Sequence, residues 1–356
     1  MNASVDSLSL TPRQSSASGF SGLADRPAAL DCPVREGLLQ VPGETRLHHG
    51  GTLAGVRIAW RLAGPATAPV VCALGGISAG RRVCLGDERD EGWWSGIAGP
   101  GCALDSRRYR ILSFDYLGGS GQTSGPEPGQ SFPSLSTYDQ AEVLLRILNH
   151  LGLKSVRAIA GGSYGAMVAL AFGERHPERV GHLLTIGAAD RPHPMATAWR
   201  SVQRQVVRFA ISCGRSDEGL QLARALAMST YRSAEEFSAR FGGHPSRQDE
   251  RFVFPVEGYL LARGSDYARR HRPESFLCLS ESIDLHRVDA SRIFVPTTAV
   301  AVREDQLVPL ADVRAMVARL PTARLHEISS LYGHDAFLKE TEQLRHIFTV
   351  ALESLS

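Results

Sequence analysis

Short apolar runs alternate with segments of helical periodicity along most of this 356-residue chain. Near-continuous apolar runs of this length are typical of strands buried on both faces of a parallel sheet. Helices between them would then connect neighbouring strands by right-handed crossovers, which predicts an α/β fold. Seven runs are predicted to be strands: VRIAWRLAG (56–64), PVVCALGG (69–76), YRILSFDYLG (109–118), VRAIAGG (156–162), GHLLTIGAA (181–189), TTAVAV (297–302) and ARLHEIS (323–329).

The regular alternation stops after residue 190, and the next hundred residues are mostly helical in pattern. We expect this stretch, 191–290, to be a helical cap inserted over the carboxyl edge of the sheet, where open α/β folds bind their ligands. Residues 36–190 and 291–356 then form the α/β core. Residues 1–35 are rich in serine and have neither a basic start nor a continuous apolar segment. This composition predicts a disordered lead-in and not a secretory signal.

Charge and cysteine content exclude several classes of protein. A net charge of +2 gives no reason to expect a nucleic acid or an acidic membrane surface as partner, and no apolar run approaches the ~20 residues that span a bilayer. No histidine pair has metal-ligand spacing with an acidic partner, so we expect no metal. The cysteines lack the density of a disulfide scaffold, which favours a reduced, cytoplasmic protein. They are Cys32, Cys72, Cys84, Cys102, Cys213 and Cys278.

A Gly-x-Ser-x-Gly motif, formed by Gly161, Ser163 and Gly165, lies between a predicted strand and a predicted helix. A nucleophile elbow requires this context, because its small residues permit a sharp turn that raises the serine hydroxyl above the sheet. The helix that begins near Tyr164 would direct its first N–H groups toward a developing oxyanion. The motif alone is common, and the alternative interpretation is an ordinary strand-to-helix turn.

A serine nucleophile needs an acid and a base, in the chain order Ser, Asp or Glu, His. Asp305 follows a predicted strand, and His334 lies in the loop after the next one. Asp305 would hold the imidazole in one tautomer while His334 acts as base and then as acid. Glu304 is the alternative acid, because the strand end is not fixed to within one residue. A second oxyanion N–H is expected from Ile77, and together these residues predict an α/β-hydrolase-type enzyme.

Longer stretches resemble one family of this fold. The segment EGWWSGIAGPGCALDSRRYRILSFDYLGGSGQTSGP (91–126) is similar to the GWW…GPG…GSTGP run of homoserine O-acyltransferases, and the likeness covers roughly residues 47–338. It includes segments of both the core and the cap. These are FPSLSTYDQA, GGSYGAMVAL, RSVQRQVV, EGLQLARALAMSTYRSAEEFSARFG, VEGYLLARG and GHDAFL.

The resemblance implies ping-pong transfer of an acyl group from acyl-CoA to L-homoserine, in methionine biosynthesis, by Ser163, Asp305 and His334. The family's substrate-binding arginine and aspartate correspond to Arg224 and Asp335. The guanidinium would clamp the α-carboxylate, and the carboxylate would hold the α-ammonium. Acyl-CoA is then a co-substrate, no cofactor is expected, and a homodimer through the cap helices is expected. L-Serine as acceptor, a serine esterase or thioesterase, and a non-catalytic binding protein are the alternatives.

The family divides between acetyl and succinyl donors. A succinyl chain ends in a carboxylate, and burying that charge without a cation would be very unfavourable. Arg81 and Arg82 follow the predicted oxyanion loop, where the family tends to lack such charge, and Arg303 lies two residues before the predicted acid. As candidates for acyl specificity, these arginines favour succinyl-CoA over acetyl-CoA. The alternative is that they are surface charges or contact the phosphates of coenzyme A.

Overall fold

The computed structural model of the chain describes residues 33–84 and 92–353. Residues 1–32 of the predicted lead-in, with Cys32, lie outside this part. The first strand begins at Val34, inside the segment that the sequence assigned to the lead-in.

The strands of the described residues form one large sheet and three two-stranded ribbons. In chain order they are β1 (Val34–Gln40), β2 (Glu44–Arg46), β3 (Thr52–Ala54), β4 (Arg57–Ala63), β5 (Val70–Leu74), β6 (Ala98–Gly99), β7 (Leu104–Asp105), β8 (Arg110–Phe114), β9 (Ala158–Gly162), β10 (Leu183–Ile186), β11 (Ser246–Gln248), β12 (Arg251–Val253), β13 (Thr297–Val302) and β14 (Ala323–Ile328). The large sheet has the order β1-β4-β8-β5-β9-β10-β13-β14. Strand β4 pairs antiparallel with β1 and β8, and all other neighbours are parallel. The predicted α/β class with a mostly parallel sheet is confirmed.

Each of the seven predicted runs contains one strand of the large sheet. Strands β5, β9, β10 and β13 are buried along their whole length, as expected of strands covered on both faces. The eighth strand, β1, lies at the sheet edge and is mostly exposed. Its sequence VREGLLQ lacks a continuous apolar run, because an edge strand is held by backbone pairing more than by burial. The sequence therefore gave no signal for it.

Five of the described helices lie between β10 and β13, in the interval where the sequence predicts the cap. The helices are α1 (Thr137–His150), α2 (Tyr164–Arg175), α3 (Pro194–Ser212), α4 (Ser216–Tyr231), α5 (Ala234–Phe241), α6 (Pro255–Ala268), α7 (Pro273–Asp284), α8 (Leu310–Val317), α9 (Ala336–Lys339) and α10 (Thr341–Glu353). The cap helices are α3 to α7. Over the described ranges, no helix has both the length and the apolar character needed to cross a membrane.

Two glycines allow the cap helices to pack closely. A Cβ on Gly219 of α4 would lie 2.3 Å from the Cβ of Ala210 in α3. A Cβ on Gly264 of α6 would lie 2.4 Å from the carbonyl oxygen of Gln221 in α4. Helix α4 is thus held between α3 and α6, and this packing fixes the position of Arg224 on α4.

Strand β9 passes into α2 through a turn that has no room for side chains at two positions. A Cβ on Gly161 would lie 2.4 Å from the carbonyl oxygen of Gly165, and a Cβ on Gly165 would lie 2.3 Å from that of Leu74 in β5. The N–H of Gly165 also donates to the carbonyl of Gly75 at 2.9 Å. The helix start is therefore pressed against the neighbouring strand, and the residue between the glycines lies at the carboxyl edge of the sheet.

Candidate active site

Ser163 occupies the turn between β9 and α2 in a backbone conformation that residues other than glycine rarely adopt, with φ 54° and ψ −121°. Its N–H donates to the carbonyl of Ile186, at the end of β10, at 2.8 Å. Such a conformation persists only where the surrounding structure enforces it. The geometry is that of a nucleophile elbow.

His334 connects this serine to a buried carboxylate. Its Nε2 lies 2.8 Å from Ser163 Oγ, and its Nδ1 lies 2.7 Å from Asp305 Oδ2. The other oxygen, Asp305 Oδ1, accepts hydrogen bonds from the N–H groups of Leu307 and Val308 at 2.8 and 3.0 Å. With the ring proton on Nδ1 and directed at Asp305, Nε2 is available to accept the serine proton. The structure thus brings together all three predicted catalytic residues.

The alternative acid, Glu304, has other partners. Its carboxylate accepts hydrogen bonds from the N–H of Ser330 at 2.7 Å and from the hydroxyl of Ser329. Glu304 therefore braces the loop that leads to His334 and does not contact the imidazole, so Asp305 holds the position of the acid.

Opposing influences act on the pKa of the His334 imidazole. Burial lowers this pKa, the carboxylates of Asp305 and Asp335 raise it, and the guanidinium of Arg200 lowers it. The negative charge of Asp305, together with its hydrogen bond to the ring, outweighs burial, and the pKa of His334 lies above its ordinary value of 6.5. A raised pKa makes the neutral ring a stronger proton acceptor.

The predicted oxyanion donors lie in segments beside Ser163. Tyr164 is the first residue of α2, so its N–H has no partner in the hydrogen-bond ladder of the helix. Ile77 lines the same cavity as Ser163, and the start of its loop is fixed because the Tyr116 hydroxyl donates to the Gly75 carbonyl at 2.7 Å. Donors that stabilise an oxyanion must be in place before the charge develops. Their role here stays a prediction.

A cavity of about 190 Å³ opens above the serine, and Arg224 enters it from α4. The guanidinium carbon lies 5.1 Å from the ring centre of Tyr231 and 4.7 Å from that of Tyr267, and Nη1 is 3.3 Å from the Tyr231 hydroxyl. Burial lowers the pKa of Arg224, but the two tyrosines and Asp335 raise it overall. No carboxylate of the described residues forms an ion pair with this guanidinium. Apart from the hydrogen bond from Nη1 to Tyr231, the donors of Arg224 are therefore available for an anionic ligand.

Asp335 lines the same cavity, next to His334. Its Oδ2 lies 3.0 Å from Nε of Arg232, and the two side chains are only 12% and 11% exposed. The N–H of that nitrogen is not directed at a hydrogen-bond acceptor, so the contact is an ion pair. Sequence reasoning missed both Arg232 and Tyr231. Their position in the segment STYRSAEEF, which resembles the family, was the available signal.

The three predicted acyl-specificity arginines do not line the cavity, and this part of the prediction is wrong. Arg81 is paired with Asp115 at 2.6 Å. Arg303 is 56% exposed and pairs with Glu327 at 3.1 Å, and Arg82 is not among the described residues of the cavity wall. Closeness in sequence to the oxyanion loop and the acid loop did not predict where these guanidinium groups lie. A long arginine side chain pairs with whichever carboxylate lies within its reach.

A different arginine, Arg200 of α3, lines the cavity. Its Nε and Nη2 lie 2.8 and 2.6 Å from Asp284 Oδ1. Arg204, one turn later on α3, pairs with Asp284 Oδ2 at 2.6 Å. Two guanidinium groups thus share one carboxylate, which leaves an excess of positive charge at this wall. Among the described residues, no group of three or more His, Cys, Asp or Glu is arranged to hold a metal ion.

Comparisons with known proteins show the family of this chain. Residues 69–341 match the family described as alpha/beta hydrolase fold. The chain is 42% identical over 301 residues to the homoserine O-succinyltransferase of Xanthomonas campestris, covering 84% of this chain and 79% of that one. It belongs to the homoserine O-acyltransferase family.

A second relative supports the family, and a solved structure supports the fold. The homoserine O-acetyltransferase of Thermus thermophilus is 36% identical, over 74% of this chain and 72% of that one. The crystal structure of homoserine O-acetyltransferase from Bacillus anthracis superposes with a TM-score of 0.82 at 17% identity, covering 90% of this chain and 97% of that one. This structural likeness shows the shared fold, and it confirms the predicted α/β-hydrolase architecture.

The charges around His334 predict the pH dependence of acylation. Because His334 must be neutral to accept the serine proton, activity falls below its pKa. Asp335 raises that pKa, so Asp335→Asn should move the acid limb of kcat/KM to lower pH. The measurement is a pH profile of p-nitrophenyl acetate hydrolysis, which needs no amino-acid acceptor.

Two control variants accompany this profile. Glu327→Gln, which removes a carboxylate paired with the exposed Arg303, should leave the acid limb in place. Ser163→Ala should abolish the reaction, since loss of a nucleophile costs many orders of magnitude and activity above ~1% would contradict the covalent mechanism. An acid limb that stays or moves to higher pH in Asp335→Asn would overturn the electrostatic assignment.

Proposed function

We propose that this chain is a homoserine O-succinyltransferase of methionine biosynthesis, transferring the succinyl group of succinyl-CoA to the hydroxyl of L-homoserine. One observation carries the proposal: the cavity that holds the Ser163–His334 pair also presents Arg224 and Asp335. A guanidinium and a carboxylate beside a nucleophilic serine suit the two charged groups of an amino acid. A plain esterase needs neither. L-Serine, one methylene shorter, is the alternative acceptor.

The first half-reaction forms an acyl-enzyme. His334 Nε2, 2.8 Å from Ser163 Oγ, takes the hydroxyl proton as Oγ attacks the thioester carbonyl. The backbone N–H groups of Ile77 and Tyr164 would stabilise the oxyanion. As the C–S bond breaks, coenzyme A leaves as the thiol with the proton from His334. Coenzyme A is thus a product of the first step and not a resident cofactor.

The second half-reaction delivers the acyl group to the amino acid. Arg224 binds the α-carboxylate and Asp335 the α-ammonium, which directs the γ-hydroxyl at the acyl carbonyl. His334 then accepts the hydroxyl proton and returns it to Ser163 Oγ when the ester bond to the enzyme breaks. Holding the acceptor in this geometry favours transfer over hydrolysis, because positioned reactants outcompete occasional water.

Transfer can be distinguished from hydrolysis by measuring coenzyme A release with and without L-homoserine. We expect release to depend on homoserine, and equal release in both conditions would support a thioesterase.

Arg224→Ala should raise the KM for homoserine far more than that for succinyl-CoA, because a lost charge-assisted contact costs roughly 2–4 kcal/mol. Arg263→Ala, at an exposed arginine of α6 that pairs with Asp266, is the control. An unchanged homoserine KM in Arg224→Ala would contradict the assigned role.

The preference for a succinyl donor rests on Arg200. This guanidinium lines the cavity and shares the Asp284 carboxylate with Arg204. The uncompensated positive charge offers a partner for the terminal carboxylate of a succinyl chain, which could not be buried alone. An acetyl group would make no use of it.

Arg200→Met should therefore lower kcat/KM for succinyl-CoA at least tenfold, about 1.4 kcal/mol, and change acetyl-CoA turnover much less. Arg200→Lys should retain part of the succinyl preference, because it keeps the charge but not the fork of donors. Arg303→Met, which alters an arginine outside the cavity, should affect neither donor. Equal losses with both donors would show that Arg200 only supports the cap.

We further propose a homodimer formed through the cap and a cytoplasmic location. Met195, Val202 and Phe209 are 52%, 54% and 72% exposed, and their seven-residue spacing places them on one face of α3. Exposed apolar patches of this kind mark interfaces. For the location, the support is that Cys72, Cys102, Cys213 and Cys278 are free thiols, as is usual in a reducing compartment.

Light scattering after size exclusion should give a mass twice the 38.5 kDa of the chain. Phe209→Asp should reduce this to the mass of one chain, because a charge in an apolar interface lacks a partner. Phe294→Asp, at an exposed phenylalanine outside the cap helices, should leave the dimer intact. A monomeric wild-type protein would refute this arrangement.

A further inference from the structure

Arg232, the residue directly after α4, connects the cap to the loop that carries the catalytic histidine. Its Nε lies 3.0 Å from Oδ2 of Asp335, and its Nη1 lies 3.2 Å from both carboxylate oxygens of Glu236. All three side chains are buried to about nine-tenths. Arg232 does not line the cavity itself, so it acts behind Asp335.

The backbone on both sides of this contact is also joined. The N–H of Ser233 donates to the carbonyl of Leu331 at 3.3 Å, and the Gln306 side chain donates to the carbonyl of Arg232 at 3.2 Å. A Cβ on Gly333 would lie 2.8 Å from the carbonyl oxygen of Tyr231. The end of α4 therefore lies directly on the 331–335 loop, and the ion pair bridges a close contact between cap and core.

A carboxylate as buried as Asp335 needs a partner, because an unpaired charge in the interior is strongly unfavourable. Arg232 pairs with one oxygen, Oδ2, and no residue in the described ranges donates a hydrogen bond to the other oxygen of this carboxylate. Arg224, the other cation near the cavity end of α4, is held between aromatic rings and forms no ion pair with Asp335. One carboxylate oxygen thus remains for a cationic ligand.

We propose that Arg232 is a positioning residue for acceptor binding, which holds the Asp335 carboxylate in the orientation that receives the α-ammonium of the amino acid. The inference rests on the proposed function, in which Asp335 binds that group. Because Arg232 belongs to the cap, the ammonium site is complete only when the end of α4 lies on the 331–335 loop. The site is then sensitive to the cap position, whereas the Ser163–His334–Asp305 contacts lie within the core.

The test separates the two half-reactions in Arg232→Met. Acylation is followed with succinyl-CoA alone, as the burst of coenzyme A and the mass of the acyl-enzyme, and it should stay within about twofold of wild type. The KM for L-homoserine should rise at least tenfold, as expected when about 1.4 kcal/mol of binding is lost. Arg232→Lys should recover part of this loss, because it restores the charge beside Asp335.

Arg240→Met is the matched control. Arg240 pairs with the same Glu236 at 2.9 Å but is 43% exposed and does not contact Asp335. It should change neither half-reaction, although it removes a comparable ion pair from the same cluster. A homoserine KM in Arg232→Met equal to that in Arg240→Met would overturn the proposal. So would an equal fall of acylation and acceptor transfer, because that pattern indicates general damage to the site.

The wild-type protein distinguishes this failure from failure of the proposed function. If wild type shows no turnover that depends on L-homoserine or L-serine, the proposed function fails and the role of Arg232 fails with it. If wild type turns over and the Arg232 variants behave like wild type, only the role of Arg232 is refuted. Both acceptors carry an α-ammonium, so the test runs with whichever one supports turnover. Should Arg232→Met not fold, Arg232→Gln and Arg232→Lys provide the same comparison.

Discussion

The parallel pairing of β9, β10, β13 and β14 is the constraint on which the catalytic geometry depends. In a parallel sheet the carboxyl ends of adjacent strands meet at one edge, so the residues after β9, β13 and β14 lie near one another. These residues are Ser163, Asp305 and His334, which are up to 171 positions apart in sequence. The turn after β9 adds the second requirement. Without room for a Cβ at residues 161 and 165, the serine is held in its strained conformation and its hydroxyl reaches the imidazole.

Features that leave a local pattern in the sequence could be predicted better than features that depend on contacts between residues far apart in the chain. Burial of whole strands leaves a local apolar signature, so the runs that became β5, β9, β10 and β13 were recognisable. The edge strand β1 was missed because half of its environment is solvent. The triad could be predicted because its members must follow particular strands in a fixed chain order. That rule says nothing about which distant side chains complete the cavity.

The cap shows this limit most clearly. The sequence predicted its interval and, through the resemblance, assigned Arg224 and Asp335. The prediction of the arginines that would bind the acyl donor was wrong, because Arg81 pairs with Asp115 and Arg303 pairs with Glu327. Whether an arginine lines a cavity depends on which carboxylate lies within its reach after folding. Such partners are set by tertiary packing, here of core segments for Arg81 and Arg303 and of the cap helices α3 and α7 for Arg200.

The charges around the cavity differ in how fully each is compensated, and that difference suggests their roles. Arg81 forms an ion pair with the buried carboxylate of Asp115 and so stabilises the core. Arg200 shares its carboxylate with a second arginine, so positive charge remains at the wall. Arg224 faces the rings of Tyr231 and Tyr267, which attract a cation, and it donates one hydrogen bond to the Tyr231 hydroxyl, so its other donors are available for a ligand. A guanidinium held in this way is fixed in place and still able to bind a carboxylate.

The C-terminal half of α4 and the residue after it place three side chains beside the catalytic site. Helix α4 supplies Arg224 and Tyr231. The Tyr231 hydroxyl accepts a hydrogen bond from Arg224, and its ring centre lies 5.9 Å from that of His334. Arg232, the residue after the helix, pairs with Asp335. The triad of the core would serve hydrolysis as well as transfer, since it only creates the nucleophile. In the proposed function, Arg224 of this helix would bind the α-carboxylate of the amino acid, and Asp335, paired with Arg232 just after the helix, would bind the α-ammonium beside the catalytic base. Selectivity for an amino-acid acceptor can therefore arise on a hydrolytic core through the way one cap helix ends.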